Sequence, residues 1–556
     1  MKLTVNMKIS KRTAILRIGI LFTIFAFGVL KINAQNIKEA IQDEELLKYQ
    51  AAKSIYNQLL AKDASNAEVY YHLGVIAYHN YQYDSANYYF GKGIQLNANE
   101  PLNYIGTGLM KLHNKNQPQA KADFDKALSV SASGTAEKTS YVEQQIVEAM
   151  WQEQDGQDAD YALDLAQKAV KADDKNLRYK ISIGDAYILK GDGGNGIRQY
   201  ESVEDANPKY YLATLKVGHC YASPSARNYD AALEQFQKIV SADPKYAPVY
   251  PEMADAYSQK NPPQNEKAKE SYLTFLLLVG SSPAERLQYA KFLYYIKDYK
   301  AALEQLNIAY QFLPDNIVLL KLKAYCEDET KDPKTGLATI QRMFSKARPD
   351  EIKGMDYEYF GRLLATGNQD SMAIVNLYKA YKDDSSKVYL LDSIAGCYAK
   401  MKKYSKAAQV IEQKIIRTKD NVNGLDYYTL ARYYLVLGNY TKADTNAALL
   451  IKQYPDYPVG YYYRALCNAN IDSTMKTGAA KPYYEQFISK IKTANDSATY
   501  KSQVIEANMY MVSYYYNKND YTKAKEYGLK VKVLDPANKQ NNSILKYIED
   551  ILKKKK

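Results

Sequence analysis

The chain has 556 residues, 46% apolar and 24% charged, and that much apolar material excludes an intrinsically disordered protein. Its formal charge is +12, but residues 1–34 hold six basic and no acidic residues, leaving +6 for the rest, of which Lys553–Lys556 supply four. The body is close to neutral, which removes the electrostatic basis for nucleic-acid binding.

The first element is a targeting segment. Lys8, Lys11, Arg12 and Arg17 precede the largely apolar run IGILFTIFAFGVL, Ile18–Leu30, and KINAQN follows. A basic start, a short apolar middle and a small residue before the cut predict a cleavable signal peptide over 1–34. Ala34 would be the last residue removed and Gln35 the new terminus. The apolar run is shorter than the ~20 residues a membrane-spanning helix needs. No cysteine stands near the cut, so lipid attachment is not expected, and the peptide is already complete from Met7, a second candidate start. The expected location is the periplasm or the outer membrane. The NAQ ending resembles signal peptides of exported Bacteroidota proteins.

One pattern then recurs along the chain. NYDAALEQFQKIVSADP (228–244), DYKAALEQLNIAYQFLPDN (298–316), NYTKADTNAALLIKQYP (439–455) and DYTKAKEYGLKVKVLDP (520–536) share one order. It runs aromatic, alanine three on, small or apolar positions four and seven further, then proline five later, as in Tyr229, Ala232, Phe236, Ile239 and Pro244. Upstream of each lies another apolar helix pattern with a small residue near its middle. Gly74 to Gly108 is 34 residues, and Gly184 to Gly218, Ala290 to Ala324 and Gly361 to Ala395 repeat that spacing.

This helix–turn–helix period resembles the tetratricopeptide repeat. The resemblance implies an all-α fold, a right-handed superhelical solenoid of about fourteen units. They begin near residues 33, 67, 101, 143, 177, 211, 247, 283, 317, 354, 388, 424, 458 and 505. Those near 143, 317 and 458 are degenerate, and QNNSILKYIEDIL reads as a C-terminal capping helix. A single hairpin cannot bury its apolar face, so units stack and the core runs along the array. The small residue of the first helix is expected to meet the alanine of the second. Proline ends the second helix, and glycine or asparagine in the mid-turn takes a left-handed cap. Added residues at 222–229, 258–268, 131–142, 469–482 and 489–504 are expected as surface excursions. The array reads as 35–142, 143–488 and 489–556, the last holding the final unit, the cap and the lysine tail.

Little points to catalysis. Cys220, Cys326, Cys397 and Cys467 each stand two residues past the small residue of a first helix, never in adjacent units. Helices pack ~8–10 Å apart, so four buried free thiols are expected rather than disulfides. His72, His79, His113 and His219 have no accompanying carboxylate-rich set and read as surface or groove side chains. KGDGGNGIRQY (190–200) has neither the preceding strand nor the Gly-Lys-Ser/Thr of a phosphate loop and reads as a loosened turn. No nucleophile elbow and no H-E-x-x-H occurs. The chain is expected to be no enzyme and to need no cofactor or metal.

Tyrosine is the abnormal component, with 56 copies against one tryptophan. In YYHLGVIAYHNYQYDSANYYF (70–90), Tyr83 reads as packing, Tyr88 and Tyr89 as cover for neighbouring helices, and Tyr81 as a turn residue. In tetratricopeptide solenoids the first helices line a concave groove that binds partner segments. Carried over position by position, the resemblance implies Tyr71, His72, Val75 and Tyr78, then Ile105, Leu109 and Leu112, in the N-terminal groove. Further on it implies Lys321, Tyr325, Tyr359, Arg362, Tyr428, Arg432, Tyr462, Tyr463 and Tyr516. The family's peptide-binding asparagine is replaced by His72, Ser182, Lys216, Glu252, Thr429 and Tyr463, so recognition of chaperone C-termini is not transferred. Tyrosine mixed with arginine and lysine is typical of interface hot spots. The expected function is an exported scaffold for protein partners of the cell envelope, or of a secretion complex. The alternative is a glycan- or peptidoglycan-binding envelope protein, since tyrosine faces stack on sugars. The lysine tail offers peripheral contact with anionic lipid, or is a solvated helix end.

Overall fold

The computed structural model describes residues 37–153 and 158–554; the signal-peptide segment 1–34, with Met7 and the cut at Ala34, lies outside the described residues. All regular structure among the described residues is helical. The helices pair in chain order into the fourteen expected hairpins, from Ile37–Glu45 with Tyr49–Lys62 to Lys501–Asn517 with Tyr521–Leu534. Lys539–Lys554 is the capping helix.

Several hairpin turns do two jobs with three residues. After Leu102–His113, Asn116 N–H donates to Lys111 O at 2.8 Å and Lys115 takes φ +59°. This is the left-handed helix ending that satisfies orphan carbonyls. Asn116 then caps the next helix, its side-chain oxygen accepting from Gln119 N–H at 3.3 Å. Asp298, Asp332, Asn439 and Asp520 repeat that cap. The left-handed residue is glycine at Gly191 and Gly438 and asparagine at Asn368 and Asn519, as expected, but lysine at Lys115, Lys297, Lys331 and Lys402, tyrosine at Tyr81, leucine at Leu47 and arginine at Arg227. The expected glycine or asparagine is thus the minority choice.

The second helix ends differently from expectation too. Asp243, before Pro244, is extended at φ −144° and ψ 93°, but Asn97 and Asp173 take the same angles with no proline after them. The shared cause is the side chain: Asn97 Oδ1 accepts from Asn99 N–H at 3.0 Å and Asp173 Oδ1 from Lys175 N–H at 3.1 Å. That local turn opens the helix end, and proline only reinforces it.

The small residue of the first helix faces not the alanine of the second but the large residue four beyond it. A Cβ on Gly74, Gly108, Gly184 or Gly218 would lie 2.3 Å from the ring of Phe90, Phe124, Tyr200 or Phe236, respectively. Phe90, Tyr200 and Phe236 are fully buried, and each contributes roughly 2–3 kcal/mol through burial. The four cysteines are buried free thiols.

Tyrosine serves the seams because its hydroxyl reaches a carboxylate. Tyr56 donates to Glu44 at 2.8 Å, Tyr161 to Asp125 at 2.9 Å, Tyr200 to Asp185 at 2.6 Å and Tyr389 to Glu358 at 2.7 Å. Phenylalanine could fill these spaces but could not tie a charge on a neighbouring helix. Tyr83 packs as expected, its ring 4.2 Å from His113. Tyr88, by contrast, is 62% exposed, because its position faces outward on the second helix.

The chain divides into two compact units, the first ending at Leu322 and the second beginning at Lys323, inside helix Ile317–Glu329. The expected divisions at 142/143 and 488/489 are not unit boundaries. Their inserted residues are absorbed into helix, as the long Ala136–Glu153 and the short Ala494–Thr499. Within the first unit the chain returns on itself. Gln288 Nε2 donates to the carbonyl of His79 at 3.2 Å, and Lys291 Nζ donates to the Tyr81 hydroxyl at 3.1 Å.

Candidate functional site

The first unit holds a groove of about 660 Å³, walled by first helices of successive hairpins. Tyr71, His72, Val75, Ile105 and Leu109 line it, as the motif positions imply, and so do Lys216 and Glu252 from the asparagine position. Several of its charges are paired. Arg178 Nη2 lies 2.6 Å and 2.7 Å from the two Glu148 oxygens. Burial opposes the Glu148 charge, but Arg178 and the Gln144 amide hold the carboxyl below its usual range. Lys216 Nζ lies 2.8 Å from Asp185 and 3.9 Å from the Trp151 ring centroid, and His219 Nδ1 lies 3.0 Å from Glu252.

His72, expected as a surface or groove side chain, lines the groove but is buried. It is 3% exposed, stacks on Tyr56 at 5.2 Å and bonds Glu44 through Nδ1 at 3.0 Å. Tyr71 is buried too: at 6% exposure its hydroxyl donates to Gln145 at 3.0 Å, and its ring lies against His72 and Phe90. Its edge reaches the groove, but its body is core. Tyr78 is half-buried and donates to Glu153. Sequence reasoning missed Trp151, Arg178, Tyr210 and Tyr246, all groove-lining. Trp151 stands in the degenerate unit near 143, where no framework residue fixes the register.

In the second unit the expected residues fall into three groups. Tyr325 and Tyr359 are buried, stacked at 4.1 Å, with hydroxyls donating to Asp356 and to Glu329. Neither is free for a partner, because each ring is covered by the adjoining repeat. Arg362 lies over Tyr359 and pairs with Asp328 at 2.8 Å, on the wall of a cavity of about 490 Å³. Tyr428 and Tyr463 stack at 5.5 Å beneath the exposed Arg432, and Tyr462 donates to Glu506 at 2.6 Å. Tyr516 packs on Tyr521 and on Tyr547 of the capping helix. Lys321 belongs to the first unit and is half-buried. Among the described residues no group of three His, Cys, Asp or Glu could hold a metal. No described helix is long and apolar enough to cross a membrane.

The tetratricopeptide repeat family model matches residues 38–100. The C-terminal part of a TPR repeat-containing protein from Cytophaga hutchinsonii is 30% identical over 47% of this chain and 99% of that one, with a TM-score of 0.42. A tetratricopeptide repeat protein from Parabacteroides merdae is 13% identical over 53% of this chain and 97% of that one, TM-score 0.24. The APC/C hetero-tetramer Cut9–Hcn1 is 14% identical over 89% of this chain and 98% of that one, TM-score 0.30. No curated protein matches the chain. Stacked helical hairpins around a groove define a repeat scaffold. The 30% identity across nearly the whole Cytophaga chain specifies which kind. The chain belongs to the tetratricopeptide repeat family.

Proposed function

We propose that the protein is a non-catalytic scaffold, exported to the periplasm or outer membrane, whose first unit holds a partner protein of the cell envelope in its groove. The observation that carries this reading is the groove itself, about 660 Å³ and walled by several consecutive repeats. Its wall alternates rigid aromatic surface, Trp151, Tyr210 and Tyr246, with pre-paired charges, Arg178–Glu148 and Lys216–Asp185. Such a wall suits an extended segment bearing both polar and aromatic groups, at little cost in side-chain ordering. The basic start and apolar run before Ala34 support export.

The test is cross-linking of the tagged chain in intact cells, isolation from membranes, and identification of what co-elutes with wild type but not with an Arg178→Glu, Lys216→Glu variant. Elution alone in mild detergent and low salt, or full retention of partners by a folded variant, would overturn the reading.

A further inference from the structure

We propose that the cavity where the first unit closes on itself binds a small organic cation, an alkylammonium group held by tyrosine ring faces and the Glu285 carboxylate. The cavity measures about 450 Å³ and adjoins the groove at Tyr49 and His79. Tyr49, Tyr78, Tyr81, Tyr83 and Phe275 are its aromatic walls. Tyr78 and Tyr83 meet at 62° with centroids 5.8 Å apart, and Tyr81 and Tyr83 at 81° and 6.4 Å. Rings set at such steep angles make corners rather than a stack, with His79 stacked on one face of Tyr49 and His113 against one face of Tyr83. A cation there gains from several faces at once.

The charge around the cavity is negative. Among the described lining residues there is no lysine or arginine, whereas Glu285 and Glu153 both stand there. Glu153 is occupied, by the Tyr78 hydroxyl and by His113 Nδ1 at 2.9 Å. Glu285 is not: it is 2% exposed, and neither carboxyl oxygen has a hydrogen-bond partner. The backbone N–H groups of Ser282 and Glu285 favour its charge without making well-formed bonds, and burial outweighs them, pushing its pKa up. A buried carboxylate lacking a counter-ion is costly, and a bound cation supplies one. His79 does not take that role, since burial lowers its pKa and keeps the imidazole neutral. Lys291, outside the cavity lining, holds its ammonium at the Tyr81 hydroxyl, 3.1 Å from the oxygen and 5.0 Å from the ring centroid. An anion would meet Glu285 head-on, and a neutral ligand would leave it unpaired.

The site stands apart from the partner reading, because a small cation should bind the purified chain alone. The test is calorimetric titration with choline, with N-acetyl-lysine methylamide, and with 3,3-dimethylbutan-1-ol, which has the shape of choline without its charge. We expect a cation to bind at least about tenfold more tightly than the alcohol. Glu285→Gln, the same shape without charge, should lower cation affinity about tenfold and leave the alcohol unchanged. Tighter binding of the lysine derivative assigns the cation to a protein side chain, and tighter binding of choline to a free quaternary amine. Equal binding of cation and alcohol by wild type, or no binding of either cation at about 10 mM, overturns the proposal and needs no variant to fold.

Discussion

The Cβ that Gly74 lacks would lie 2.3 Å from Cε1 of Phe90, inside a fully buried ring. Gly396, also mid-helix, has no neighbouring atom within 4 Å of its would-be Cβ. The two glycines should therefore respond with opposite signs. Gly74→Ala should destabilise the first unit by about 1–3 kcal/mol, since overpacking outweighs the better helix propensity. Gly396→Ala should stabilise the second by roughly 0.5–1 kcal/mol. Denaturant midpoints of the two variants check both.

Lys297 and Lys402 hold left-handed angles, φ +63° and φ +59°, at the hairpin turns. That conformation costs an L-residue about 1–2 kcal/mol and glycine almost nothing, so Lys297→Gly and Lys402→Gly should each stabilise by about 0.5–1 kcal/mol after the entropy of glycine is counted. Gly438→Lys should do the reverse. Melting temperatures of the three variants decide it.

His72 links the first helix to the second hairpin through Glu44. Burial by itself lowers the histidine pKa, but the Glu44 charge and hydrogen bond outweigh it, and the net shift is upward. A raised folded pKa means the contribution is complete below the unfolded value of ~6.5 and is lost as pH rises through the folded value. Melting temperature should fall from pH 6 to pH 9, and Glu44→Gln should flatten that slope. An NMR titration of His72 at or below the free-histidine pKa would contradict the pairing.

Burial pushes the thiols of Cys220, Cys326 and Cys467 up to about 12 and that of Cys397 to about 11. The thiolate is the reactive form. All four cysteines should therefore resist a disulfide reagent at pH 8 in the native chain and react fully in denaturant. Fast native reaction at any of them would show that its helix pair opens.

Asp472 organises the loop that follows Pro458–Ile471: Oδ2 accepts from Gly478 N–H at 2.7 Å and from the Thr477 hydroxyl at 2.7 Å, and Oδ1 from Lys476 N–H at 2.9 Å. The Thr477 hydroxyl, with the backbone N–H groups, holds its carboxyl down at about 2. The stabilisation is present above the ordinary carboxylate range and lost as pH falls through about 2. Asp472→Ala should expose 473–479 to proteolysis at neutral pH while the hairpin helices survive.

The repeat was legible because its determinants are local. The 34-residue spacing, the small residue of the first helix and the alanine of the second all lie within one hairpin, so the fourteen units could be counted from sequence, though not the contact itself, which the large residue four beyond the alanine makes. The starts at Ala136 and Lys501 were missed because inserted residues extended the helices instead of looping out. The groove was only half legible. Motif position tells which face of a first helix turns inward, as at His72 and Lys216, but not how deeply the next repeat covers it. Tyr71, Tyr325 and Tyr359 consequently proved to be core. Trp151 and Arg178 carry no framework role and gave no signal. Glu285 became notable only once the fold set it beside Tyr81, a juxtaposition no local pattern encodes.

The pair of contacts from Gln288 and Lys291 to His79 and Tyr81 spans more than two hundred residues of chain. A solenoid whose repeats touch only their neighbours extends under load like a spring, one coil after another. Here the first coil is pinned across its own gap. Pulled from its ends, it should hold its length until the pin slips and then give way in one step, whereas a Lys291→Ala, Gln288→Ala variant should lengthen gradually.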